Sequence, residues 1–316
     1  MNIENISGFS DGKDFRESNG YEKTLNWMQN HGLTLKSLIV GGTQIPDELA
    51  EVTPPAIINI ARVFNMENFK NNMELLKHQP LNIAITGVST KEGPFVLEDA
   101  FKLIGFQINK TSVFDLDPTI LDEIKKVDSQ TVACFHKDAR ETKLETNSQN
   151  IVFNDHMGNC CPPEINDDSI KETARVLNPN GLAIISITSS ALLGRSKNRP
   201  LVPFNLTRQL LDKNTLELLN SSIFDLAQLK QKNPDLDVNK LKGSIIEISP
   251  DSFVVFDDNP EDPNGHGEWF KSINDHFSVW SKNNLAVVDI NSKDGTDSHN
   301  PKLACRRHNV ILKKNL

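Results

Sequence analysis

Between residues 86 and 94 the chain reads Thr86-Gly87-Val88-Ser89-Thr90-Lys91-Glu92-Gly93-Pro94, hydroxyls, an acid and glycines directly after an apolar run. Glycine at such a place lets backbone approach a ligand, and a helix begun at Pro94 offers unpaired N–H groups and a positive dipole end. The pattern G-x-S-x-x-x-G is neither a dinucleotide nor a Walker fingerprint, so alone it suits a plain turn as well as a cofactor cradle. Acids recur after two further apolar runs. Phe114-Asp115-Leu116-Asp117-Pro118 carries a carboxylate that could accept both hydroxyls of a ribose, and His136-Lys137-Asp138-Ala139-Arg140 carries another. Three ligand-type groups at the ends of three successive strands point to a site on one sheet edge.

The elements that would position them change character along the chain. Residues 1 to about 22 are polar and read as a loose lead-in. Leu25, Met28, Leu33, Leu35, Leu38 and Ile39, then Ile57, Ile58, Ile60, Ala61 and Phe64, then Phe69, Met73 and Leu76 have helical spacing, so 1–79 is expected to be a helical N-terminal region. From residue 80 short apolar runs alternate with helical periodicity: Leu81–Thr86, Thr111–Phe114, Thr131–Phe135, Asn150–Phe153, Leu182–Ile187, Leu285–Ile290 and Asn309–Leu312. Continuous apolar strands alternating with helices imply a doubly wound, seven-stranded α/β sheet built mostly from parallel strands. In such sheets ligands bind at the carboxyl edge, at the topological switch point.

Two helices are well marked. One has Pro94 in its first turn, the stripe Leu97, Ala100, Phe101, Ile104, and Gly105 as its stop. The other is expected to start at an Asn166 N-cap and to stop at Asn178-Pro179-Asn180-Gly181. Residues 189–268 break the alternation and read as an insertion or lid with strand-like pieces at Ser244–Ile248 and Phe253–Phe256; a helix over 269–283 follows.

Composition narrows the chemistry. Among 316 residues, 34 Lys and Arg stand against 42 Asp and Glu, a net charge of −8, so the surface does not attract a phosphate backbone and nucleic acid is not expected as a partner. Arg306, Arg307, His308, Lys313 and Lys314 form the one dense basic cluster, flanking a strand. No stretch approaches the roughly 18 apolar residues of a membrane span, and Met1-Asn2-Ile3-Glu4 opens no export signal. A cytoplasmic protein with no membrane partner is the expectation. Cys134, Cys160, Cys161 and Cys305 form no C-x-x-C pair and no zinc spacing. Asp257, Asp258, Asp262, His266 and Glu268 read as a solvated acidic loop, and no metal is expected.

In its order of features the chain resembles class I S-adenosylmethionine-dependent methyltransferases, over about 80–188 and 269–316. Ile83–Val96 (I-A-I-T-G-V-S-T-K-E-G-P-F-V) with Phe114–Leu121 (F-D-L-D-P-T-I-L) is most similar to the chemotaxis-receptor glutamate methyltransferases, which have a G-x-S-T-G-E-E-P-Y-S loop and a D-I-D motif. Arg175–Gly181 is similar to the R-V-L-x-P-G-G turn before the fifth strand, and the closing strand pair matches the one that ends this fold, its antiparallel last strand included. Lys91 and Gly93 depart from that loop, and Asn154-Asp155 from the R-N motif of the receptor enzymes.

The resemblance implies S-adenosylmethionine as cofactor, with Gly87 and Ser89 at its methionine end, Glu92 near its amino group, and Asp115 on its ribose, Asp117 competing for that role. It implies Asp138 at the adenine amino group, Ala139 at the ring, and Asn154 and Asp155 beside the methionine moiety and the acceptor. Asp155 and His156 are the candidate bases where the nucleophile arrives protonated. The expected activity is methyl transfer to a small molecule or a protein side chain, selected by the N-terminal helices and residues 189–268. The alternative is a binding or scaffold protein that keeps the fold without the activity. A nucleotide-dependent oxidoreductase stands third, because G-x-G-x-x-G is absent.

Overall fold

The computed structural model describes residues 21–45, 55–88, 90–127, 129–155, 157, 161, 163–190, 245–249, 252–256, 267–270, 273–296 and 304–315. Helices α1 (Tyr21–Asn30), α2 (Leu35–Ile39), α3 (Pro55–Phe64) and α4 (Glu67–Met73) precede the sheet. Gly32, at φ 72°, makes the turn between α1 and α2 that its place between two apolar patterns predicts. The alternation then runs β1 (Leu81–Thr86), α5 (Gly93–Leu103), β2 (Ile108–Asp115), α6 (Pro118–Lys125), β3 (Val132–His136), β4 (Gln149–Asp155), α7 (Pro163–Val176) and β5 (Leu177–Ser190). Three strands, β6 (Ile245–Ser249), β7 (Ser252–Phe256) and β8 (Gly267–Phe270), form a separate antiparallel sheet. Helix α8 (Ile273–Lys282), β9 (Leu285–Thr296) and β10 (Ala304–Lys314) close the chain.

The main sheet has seven strands in the order β3-β2-β1-β4-β5-β10-β9. The first five are parallel, and β10 runs antiparallel to both β5 and β9. This is a Rossmann-like mixed sheet with flanking helices. Its order reverses between β1 and β4, so the crevice at their carboxyl ends is the switch point. Side-chain alternation divides the core. Ile83, Ile85, Val113, Phe153, Ile184 and Ile311 face α1–α6, in one cluster with Ile57, Ile60, Phe64, Phe69 and Phe101. Ala84, Phe114, Val152, Ile185 and Val310 face α7 and α8, with Ile170, Ala174 and Trp280.

Three local expectations change. Helix α7 starts at Pro163, not at an Asn166 cap: proline fixes the first-turn φ, and Asn166 is already helical and buried. Asn178–Gly181 lies inside the span of β5, because Leu177 already pairs with Gln149; the register then jumps to Leu182 opposite Ile151, with Asn180 at φ 68°. The chain before α8 is strand β8, and the helix is shorter than 269–283. Residues 205–230 of the insertion, whose sequence has helical spacing, and the acidic loop at 257–266 lie outside the described residues. Among the described residues no helix is long and apolar enough to cross a membrane.

Candidate functional site

Strand β1 delivers Thr86 to the carboxyl edge, and Gly87 turns there at φ 71°, in the left-handed region that glycine enters without strain. The Gly87 amide donates to the Phe114 carbonyl at 3.0 Å, and the Val88 amide to Asp115 Oδ2 at 2.8 Å. Asp115 Oδ1 accepts from the Asp117 amide at 2.8 Å, and the Asp115 carbonyl accepts from the Lys137 amide at 3.2 Å. Asp115 thus ties the ends of β1, β2 and β3 into one rim. Each carboxylate oxygen takes a single backbone N–H, which leaves further lone pairs for hydroxyls from a ligand. Asp117 is exposed and caps α6, its Oδ1 accepting from the Thr119 amide at 2.8 Å.

Beside that rim stands a group of buried polar atoms with nothing to bond. Thr86 Oγ1, Thr90 Oγ1, Glu92 Oε1 and both amide atoms of Asn154 have no hydrogen-bond partner among the described residues. Their residues are 3%, 7%, 2% and 1% exposed. Thr86 and Asn154 are register partners across β1 and β4, so they share the switch-point crevice on one face of the sheet. Thr90 and Glu92 belong to the loop that leads from β1 into α5, where Glu92 is the N-cap residue without a side-chain cap bond. Burial pushes the Glu92 carboxyl above its usual range, against weaker opposite pulls from its own backbone, from Lys91 and from the nearby Thr90 hydroxyl, which does not meet hydrogen-bond geometry. Buried polar groups are nearly always paired, so an unpaired cluster at a strand edge is a candidate ligand site.

Other expected site residues are engaged differently. Asp138 is forked onto Arg140: Nη2 donates at 2.7 Å and Nε at 3.0 and 3.1 Å, with the Arg140 amide donating at 2.8 Å. Ala139, next to it, is buried. Asp155 ends β4 opposite Ser186 in register; its side chain, like Ser89 and His156, lies outside the described residues. The structure therefore brings Gly87, Glu92, Asp115, Asp117, Asp138, Ala139 and Asn154 to one edge. Thr86 and Thr90 are the residues that sequence reasoning passed over. The available signal was a hydroxyl closing an otherwise apolar, doubly buried strand.

A second buried carboxylate belongs to structure. Glu98, inside α5 and 3% exposed, accepts from Thr111 Oγ1 at 2.6 Å, Thr131 Oγ1 at 2.8 Å and Lys102 Nζ at 3.3 Å. It borders an open depression of about 360 Å³ with Asp99, Lys102, Ser129 and Gln130. Arg175, in the turn motif before β5, forks onto Glu172 and also donates to the Leu144 carbonyl, which makes it a brace between α7 and the preceding loop.

No protein-family model matches the chain, and no curated protein does. Solved structures do resemble it. An S-adenosylmethionine-dependent methyltransferase from Methanosarcina mazei aligns at 14% identity and TM-score 0.45, covering 77% of this chain and 97% of its own. One from Mesorhizobium loti aligns at 10% identity and TM-score 0.44, covering 80% and 100%. Likeness at this level says nothing of the reaction. In sheet order, with the antiparallel β10 inserted between β5 and β9, the chain has a class I methyltransferase-like fold.

Proposed function

We propose that the carboxyl edge of the sheet binds S-adenosylmethionine and that the protein transfers a methyl group to a small-molecule or protein side-chain acceptor. The observation that carries this reading is the unpaired buried set Thr86, Thr90, Glu92 and Asn154 at the switch point, beside the Asp115 rim. That set mixes donors and acceptors, and it suits a ligand end bearing both an ammonium and a carboxylate. Glu92 Oε1 accepts from the ammonium, and the Asn154 amide can serve either group. Asp115 accepts from ribose hydroxyls with its remaining lone pairs, while Asp117 stays the cap of α6. Ala139 offers a small apolar wall for a ring, and Asp138 reaches an adenine amino group with the lone pairs that Arg140 leaves.

When bound, the cofactor supplies an electrophilic methyl group on a sulfonium for in-line displacement. The chain's own part is to orient, exclude water and, for a protonated nucleophile, accept a proton; Asp155 and His156 are assigned that last role. Residues 80–188 and 269–316 form the transfer core in this reading. The helices of 1–79 and the insertion 189–268 select the acceptor. The chemotaxis-receptor resemblance stays one of loop sequence, since Lys91 stands where that loop has glycine. A scaffold that binds without transfer is the second reading, supported by Lys91 and by the Arg140 fork that occupies Asp138.

Thermal unfolding with S-adenosylhomocysteine or S-adenosylmethionine, with NAD and NADP as controls, tests the pocket. A ligand that binds only the folded state adds about 2.7 kcal/mol at a hundredfold excess over Kd. A shift with S-adenosylmethionine or S-adenosylhomocysteine and not with NAD or NADP supports the reading, and a shift with NAD alone removes it.

A further inference from the structure

Strand β10 meets the N-terminal helices through a series of residues on one face. Lys313 donates to Asn72 Oδ1 of α4 at 3.3 Å, Ile311 joins the core of Ile57 and Ile60, and Asn309 Oδ1 accepts from Ser186 Oγ of β5 at 2.9 Å. The next residue on that face is Arg307, opposite Thr188 of β5. Helix α3, which carries Arg62, packs against β10. Both arginines are half-buried, and neither has an ion pair or hydrogen bond among the described residues. Burial lowers the Arg62 guanidinium from its ordinary value, and the positive charge of Arg307 beside it lowers it further.

The polar residues on the neighbouring parts of α3, β5 and β10, Asn59, Ser186, Thr188 and Asn309, are all buried. Two like charges, one on α3 and one on β10, with no acid paired to either among the described residues, destabilise the protein. An oxyanion between them reverses that sign, because paired guanidinium forks match carboxylate and phosphate oxygens.

We infer that Arg62 and Arg307 form an anion site that holds a carboxylate or phosphate group of the acceptor. The site opens on the carboxyl edge, where β5 and β10 extend past the end of β4: Asp155 pairs with Ser186, whereas β5 continues beside β10 to Ser190. Strand β10 is two strands from β4, on the order of 10 Å at ordinary strand spacing. The acceptor is then a compact acid whose charged group is anchored about that far from the transfer point. Its identification as the acceptor rests on the proposed function; the anion site itself does not.

The test is the unfolding temperature of the full chain in sodium phosphate and in sodium succinate, each against chloride at equal ionic strength. The wild type is expected to rise by roughly 2–4 °C with the matching anion, phosphate and succinate deciding which oxyanion it takes. Arg62→Gln and Arg307→Gln should each abolish that rise. Without anion each should unfold at the same or a higher temperature than wild type, since one repulsive charge is gone.

Equal anion shifts in wild type and variants, or none in wild type, overturn the site. So does a loss of several degrees in the anion-free variants, which would make the arginines structural braces. S-adenosylhomocysteine is measured in parallel. If the protein responds to anions and not to S-adenosylhomocysteine, the anion site stands and its assignment to a methyl acceptor fails with the cofactor reading.

Discussion

Helix α5 carries two glutamates that are buried to the same degree, and they do opposite things. Glu98 lies inside the helix with Thr111, Thr131 and Lys102 around its carboxylate. Glu92 occupies the N-cap position of the same helix without a side-chain cap bond and keeps Oε1 unpaired, with Thr90, Thr86 and Asn154 unpaired nearby. Both lose hydration on folding, but only Glu98 is repaid from within the chain. A satisfied buried acid is part of the architecture. An unsatisfied one is, under the proposed function, the place for a ligand group.

The largest effect separating the two should come from Glu98→Ala. It strands two threonine hydroxyls in the core and should cost about 3 kcal/mol in denaturant unfolding, with binding of S-adenosylhomocysteine retained. A loss below about 1 kcal/mol would break the contrast. Asp115→Ala comes next. It should weaken S-adenosylhomocysteine by about 1–3 kcal/mol in calorimetric titration, because the ribose hydroxyls lose their acceptor; unchanged affinity removes that assignment.

Glu92→Gln should act through pH. Burial raises the Glu92 carboxyl in the folded state, so the native protein holds that proton more tightly than the unfolded chain. Its stabilising contribution is full below the ordinary carboxylate range and is lost as pH rises through the raised value. The glutamine variant has no such loss, so its stability should gain on wild type with rising pH while its affinity for the amino-bearing ligand falls. Parallel stability curves from pH 4 to 8 would contradict this. Arg140→Met, at the half-exposed fork on Asp138, should change stability by less than about 1 kcal/mol; any gain in ligand affinity would sharpen the view that Arg140 competes for Asp138.

Much of the frame was legible in the residues. Seven apolar runs became the seven strands, most plainly β1, β4 and β5, which are buried on both faces and have no polar alternation to blur them. Pro94 and Gly105 bounded α5 as their backbone preferences require. Asp115 was legible by place, at the end of the second strand. Its donor from β1 was not, because the Val88 amide reaches it only through the turn at Gly87, whereas the Asp117 amide is a local contact two residues on. Thr86 and Asn154 were illegible as a pair: they lie far apart in the chain and meet only because β4 docks beside β1.

Asp117 shows the same boundary from the other side. Its type and spacing made it a rival to Asp115, and the backbone of α6 made it a cap. Arg62 and Arg307 come from the two ends of the chain, and nothing in either neighbourhood marks them as partners. Sequence alone determined the alternation of elements, the apolar faces and the ends of α5, because these follow from local preference and hydrophobic period. Which polar atoms are paired and which are left waiting was decided by the tertiary structure, because pairing depends on distance through space, and only the closed sheet brings those atoms within reach of one another.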